Sequence, residues 1–175
     1  MATYHLTARG NGRGAIYLGD GDRADFLRIL TRTAERYRWR CMAFCLLTNH
    51  YHLLLWSRAE ELSAGMRRLN SLHATGFNER HDREGHVFQD RFRSRLIESD
   101  QHLIRTVSYI ALNPVRAGIC RRPEQWPWGS YATVMRGGRV LESDRVLRLL
   151  DHDPRRARRL LQGVVETDLA DLAAL

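Results

Sequence analysis

The sequence predicts an α+β fold of the ferredoxin-like, split βαβ type, with an antiparallel sheet and a C-terminal helical appendage. Three observations predict it. Hydrophobic patterning runs in the order strand, helix, strand, strand, helix, strand, helix. The second and third strands are separated by only Thr48-Asn49-His50, which makes them a hairpin. The 175 residues are enough for one ordinary domain with its own core, without metal or disulfide staples.

Each element has a local reason. Tyr4-His5-Leu6-Thr7-Ala8-Arg9 alternates as a short strand, and Arg9-Gly10-Asn11-Gly12 ends it. Residues 10–21 form a glycine-rich loop with a short apolar patch. Asp22 reads as the cap of a first helix, with Phe26, Leu27, Leu30, Ala34 and Tyr37 on one face. Residues 39–47 and 51–56 are apolar, strand-like runs. Residues 60 to about 78 read as a second helix carrying Leu62, Met66, Leu69, Leu72 and Phe77. Residues 90–97 alternate again, with Arg91, Arg93 and Arg95 facing one way. A third helix runs from about Asp100 to Leu112, where Asn113-Pro114 stops it. Its core stripe is Leu103, Val107 and Ile110. Residues 1–120 form the main domain. Residues 121–175 add a basic, aromatic segment and short helices from about Glu142.

The charge narrows the function. There are 28 basic residues against 20 acidic ones, a net charge of +8. All 28 are arginine. Arginine grips phosphate oxygens in pairs, so the balance favours a polyanionic partner, most often nucleic acid. Codon bias accounts for the missing lysine but not for the net charge. No apolar run reaches the roughly 20 residues that span a bilayer. The N-terminus lacks a secretory signal pattern, so a cytoplasmic protein without membrane contact is expected. Cys41, Cys45 and Cys120 have no Cys-x-x-Cys spacing and read as small reduced side chains.

Two short patterns carry chemistry. In His50-Tyr51-His52, both imidazoles point to one side of a strand and Tyr51 to the other. Tyr109 and Asn113 lie four residues apart and share a helix face. Each pattern alone is ordinary surface or core chemistry. Together, two imidazoles and one amide oxygen would hold a divalent cation beside a phenol. A phenol is a poor nucleophile at neutral pH, its pKa being about 10. A metal that polarises a scissile phosphate offsets this.

At these residues the chain resembles a known family. His50-Tyr51-His52, preceded by Asn49, is similar to the His-hydrophobic-His motif of single-tyrosine HUH transposases. Arg9-Gly10-Asn11, residues 65–70, residues 85–92 and residues 109–118 resemble the REP-associated tyrosine transposase branch. The likeness spans about Tyr4 to Tyr131. It implies an HUH nuclease domain, a metal-dependent endonuclease and strand transferase that cuts and rejoins single-stranded DNA near palindromic hairpins. By that resemblance Tyr109 is the nucleophile and forms a 5′-phosphotyrosine. His50 and His52 are metal ligands for Mg²⁺ or Mn²⁺. Asn113 stands where insertion-sequence relatives carry a glutamine ligand. A bacterial cytoplasmic protein acting at the nucleoid is implied, as a monomer or a homodimer with Tyr109 used in cis or in trans.

Other residues are candidates for DNA contact. Arg91, Arg93 and Arg95 form either a phosphate track or a solvated edge. Arg121 and Arg122 with Trp126 and Trp128 combine charge and stacking surface, or else cover a core. Arg9 and Asn11 flank a glycine that lets a backbone approach, or mark a plain turn. Two other functions fit the same scaffold. One is a catalytically silent or domesticated module that binds structured nucleic acid. The other is a hydrolase with a metal-bound water, which leaves the Tyr109–Asn113 pairing unexplained.

Overall fold

The structure is a computed structural model that describes residues 1–138, 140 and 142–174. Four strands form its sheet: β1 (Ala2–Arg9), β2 (Arg40–Leu46), β3 (His50–Ser57) and β4 (Arg93–Ile97). Their order is β2-β3-β1-β4, and every neighbouring pair is antiparallel. This is the split βαβ arrangement that the element order predicts.

Side-chain alternation divides the sheet into two faces. On one, Leu6, Ala8, Tyr51, Leu53 and Leu55 pack under α1 (Asp20–Arg36) and α2 (Ala59–Arg80). On the other, Leu54, Cys45 and Ile97 pack under α3 (Asp100–Arg116). The register sets Thr7 opposite His52, Arg9 opposite His50, and His5 opposite Arg95. The polar residues of β1, β3 and β4 thus gather on the α3 face, at the end where α3 leaves part of the sheet uncovered.

Several local expectations need correction. Asp22 is not the cap of α1; it sits inside the first turn, where its carboxylate accepts from the Leu18 and Gly19 N–H groups. It does the work of a cap from within the helix. Leu72 is exposed, and His73 takes its place on the buried stripe, with Nε2 2.8 Å from the Ile16 carbonyl. β4 begins at Arg93, so Arg91 precedes the strand. α3 does not stop at Asn113; it continues through Pro114 to Arg116. Proline removes one donor, but the next turn still closes through Ala117 N–H on the Asn113 carbonyl, at 2.9 Å.

The C-terminal region is built into the domain. α4 (Ser130–Met135), α5 (Asp144–Leu150) and α6 (Pro154–Ala173) follow the main sheet elements. They bury Tyr131, Val134, Val146, Leu147, Ala157, Leu161 and Val165 in one cluster with Leu54, Val107 and Ala111. α6 is 20 residues long, where short helices were expected. The Ser108 hydroxyl of α3 donates to Asp168 of α6. No described helix is long and apolar enough to cross a membrane.

Candidate active site

β3 carries His50 and His52 on the α3 face, while Tyr51 points into the opposite core and is fully buried. α3 crosses that face so that Tyr109 and Asn113, one turn apart, look down on the imidazoles. The Tyr109 ring meets His52 edge-on at 5.6 Å between centroids, and His5 at 5.9 Å. His50 and His52 are 5.1 Å apart. Tyr109 is 41 % exposed, and the Arg116 guanidinium lies 5.3 Å from its ring centroid. The four residues line one open cleft of about 540 Å³.

Hydrogen bonds fix the imidazoles. The Asn49 amide donates to the Arg13 carbonyl at 3.0 Å, which turns its oxygen to His50 Nδ1 at 2.8 Å. An amide oxygen only accepts, so His50 carries its proton on Nδ1 and a lone pair on Nε2. His52 Nδ1 lies 2.9 Å from His5 Nε2, and the two rings stack at 5.1 Å. When His52 donates in that bond, its Nε2 holds a lone pair as well. Among the described residues that buried nitrogen meets no partner in full hydrogen-bond geometry. A buried imidazole nitrogen with a free lone pair, beside a polar cleft, is suited to ligate a cation.

Electrostatics keep these rings neutral. Burial lowers His52 to about 3, helped by His5, His50 and Arg9, while the Asn113 side chain pulls the other way. Burial and Arg9 lower His50 to about 4. Burial, Arg95 and His102 lower His5 to about 4. Neutral imidazoles are the form that binds metal. Asn113 donates its N–H2 to the Tyr109 carbonyl at 2.8 Å, so its carbonyl oxygen is the atom left to act in the cleft. Among the described residues no group of three His, Cys, Asp or Glu side chains is placed to hold a metal. Beside the two imidazoles, the cleft offers the neutral side-chain oxygens of Asn113 and Gln89. The donor set of two imidazoles and one amide oxygen fits Mn²⁺ or Mg²⁺ with open positions.

The other candidates divide. Arg9, Arg91 and Arg93 line the cleft, giving it a cationic wall. Arg95 stays outside but acts on His5. Asn11 is exposed in a short 3-10 turn and donates its N–H to the Val87 carbonyl. Arg121 and Arg122 are exposed beyond the cleft, their backbone N–H groups bonded to Gln125. The Trp126 indole donates to the Leu46 carbonyl and that of Trp128 to Asp20. Both rings lie against the buried Arg23 guanidinium, at 5.4 and 6.0 Å. They clamp the 126–129 segment onto α1 and do not line the cleft. Sequence reasoning missed His5, Arg13, Gln89 and Asp90, all lining residues.

The model of the IS200-like transposases matches residues 1–113, which include both imidazoles, Tyr109 and Asn113. The chain belongs to the IS200-like transposase family. A Haemophilus influenzae protein named as a REP-associated tyrosine transposase is 29 % identical over 118 residues, covering 61 % of this chain and 67 % of that protein. A solved structure of a REP-associated tyrosine transposase bound to a REP hairpin matches this fold with a TM-score of 0.63. That match is 20 % identical and covers 81 % of this chain and 84 % of the other. The IS200-like transposase described here thus shares its fold with the hairpin-bound protein. α4, α5 and α6 lie outside the family match.

Proposed function

We propose that this transposase cuts and rejoins single-stranded DNA beside a hairpin through a covalent link to Tyr109, aided by Mg²⁺ or Mn²⁺. The observation that carries this is the meeting of Tyr109 with His52 inside an arginine-walled cleft. The hairpin comes from the related protein whose solved structure holds one. The Tyr109 oxygen bonds to the scissile phosphorus as the bond to the 3′ oxygen breaks. The phenol proton passes to water, and the leaving 3′ oxygen takes one up. The 5′-phosphotyrosine conserves the ester bond, so a 3′-hydroxyl rejoins the strand without ATP.

The chain's own residues supply the setting. Arg9, Arg91 and Arg93 draw the phosphates in and neutralise them. His52, gripped by His5, and His50, gripped by Asn49, would hold the cation together with Asn113. A cation bound there would polarise the phosphate and align it with the phenol. Tyr109 and the imidazoles come from one chain, which supports use of the tyrosine in cis.

A labelled hairpin oligonucleotide with single-stranded flanks, incubated with Mn²⁺, is expected to give a protein–DNA adduct that survives boiling in detergent. Tyr109→Phe abolishes the adduct and leaves DNA binding within about twofold. An adduct that persists in this variant rejects the nucleophile. Binding without an adduct in either protein points instead to a module without chemistry.

A further inference from the structure

α3 carries Tyr109, yet most of what holds this helix has no preferred direction. Leu103, Val107, Ile110 and Ala111 pack it into the second core, and apolar burial is non-directional. The helix is also weakened just past Tyr109. Pro114 has no N–H to offer the Ile110 carbonyl, and its ring crowds that oxygen. Apolar packing alone leaves the angle at which α3 faces the cleft loosely set.

Ser108 supplies a direction. It directly precedes Tyr109 and is fully buried. Thr106 of the same helix bonds back to its own His102 carbonyl at 2.8 Å. Ser108 instead reaches outwards and donates to the Asp168 carboxylate of α6. Among the described residues it is the one α3 side chain outside the cleft that hydrogen-bonds another helix or strand. Asp168 is half-buried and forms no ion pair with any described residue. α6 is itself well anchored. Asp153 caps its first turn, accepting from the Arg155 and Arg156 N–H groups at 2.8 Å, and Ala157, Leu161 and Val165 are buried along one stripe. A carboxylate acceptor on a fixed helix makes a strong, directional bond.

We propose that Asp168 is a positioning residue for strand cleavage: through Ser108 it fixes the rotation of α3, and with it the place of the Tyr109 hydroxyl in the cleft. The proposal rests on the cleavage reading above. Consecutive residues lie about 100° apart around a helix, so holding Ser108 sets the bearing of Tyr109. Rotating α3 by about 10° carries a side-chain tip about 6 Å from the axis through about 1 Å. An error of about 1 Å at the reacting atom costs about 100-fold in rate. The brace comes from α6, which lies outside the residues that match the family.

The test follows single-turnover adduct formation by the full chain at saturating labelled hairpin oligonucleotide and Mn²⁺. Hairpin affinity, Mn²⁺ affinity and melting temperature are measured beside it, and rates are compared where melting curves show each variant folded. Asp168→Ala and Ser108→Ala are each expected to slow the adduct by about 10- to 100-fold while both affinities stay within about twofold of wild type. The double variant is no slower than the slower single one, because both changes remove the same bond. Asp168→Asn, whose amide oxygen still accepts, keeps the rate within about threefold of wild type. Should Asp168→Ala fail to fold, Ser108→Ala and Asp168→Asn carry the test alone. A wild-type rate in Ser108→Ala, affinities that fall in step with the rate, or Asp168→Asn as slow as Ser108→Ala overturns the brace and leaves the cleavage reading intact. No adduct from the wild-type protein overturns the cleavage reading and the brace with it.

Discussion

At the scale of single residues, His5 shows what a linear reading misses. Nothing in Tyr4-His5-Leu6 marks a histidine with a role. Its place beside His52 comes from the pairing of β1 with β3, a long-range contact that no local pattern contains. His50 and His52, by contrast, are legible because strand alternation is strictly local. If the imidazoles bind metal, His5 acts on it only through His52, by holding that ring's orientation and tautomer. His5→Phe is therefore expected to weaken Mn²⁺ binding by about 10- to 100-fold in a calorimetric titration. The fold should survive, and Tyr109→Phe in the same assay should bind Mn²⁺ as wild type does.

At the scale of elements, the helices explain which boundaries the sequence could mark. Periodicity placed α1, α2 and α3 correctly, because each buries one stripe. It misplaced their ends, where tertiary contacts decide. Asp22 is the clearest case. Its carboxylate joins the start of α1 to the end of α2 through Arg80 at 2.7 Å and His81 at 2.9 Å. Burial alone would raise this carboxyl, but hydrogen bonds from His81, Leu18 N–H, Arg80 and Gly19 N–H outweigh it and hold it at about 2. A group depressed in the folded state adds stability above its unfolded pKa of about 4, and that stability fades as pH falls towards about 2. Thermal unfolding followed from pH 6 to pH 2 should show this loss in wild type. Asn at position 22 removes that part of the slope and costs about 1–3 kcal/mol at neutral pH.

At the scale of the whole molecule, the last third of the chain is the least legible part. Its arginine runs and tryptophans suggest a surface, yet its apolar side chains close the second core. The reason is physical: α4, α5 and α6 complement a sheet face whose existence depends on β1, β2 and β3 pairing first. Deleting residues 121–175 uncovers Leu54, Val107 and Ala111. The truncated chain is expected to lose cooperative thermal unfolding and to bind a hydrophobic dye at neutral pH. A truncated protein that melts as sharply as the full chain would show that these helices are dispensable. The net charge of +8 makes its own prediction. Four cleft arginines on phosphates give a slope of log affinity against log salt of about −3 for single strands, and Arg91→Ala lowers its magnitude by about 0.7.

The alternation of His50, Tyr51 and His52 has a consequence for how this protein tolerates change. Tyr51 anchors Asn70 on one side of the sheet while its two neighbours flank Tyr109 on the other. A slip of β3 by one position would bury both imidazoles in oil and expose the phenol. No half-shifted form retains part of the chemistry. Lengthening the Leu47–His50 turn by a single residue should therefore act as an on–off change, whereas insertions at the far end of the hairpin's strands have room to be absorbed.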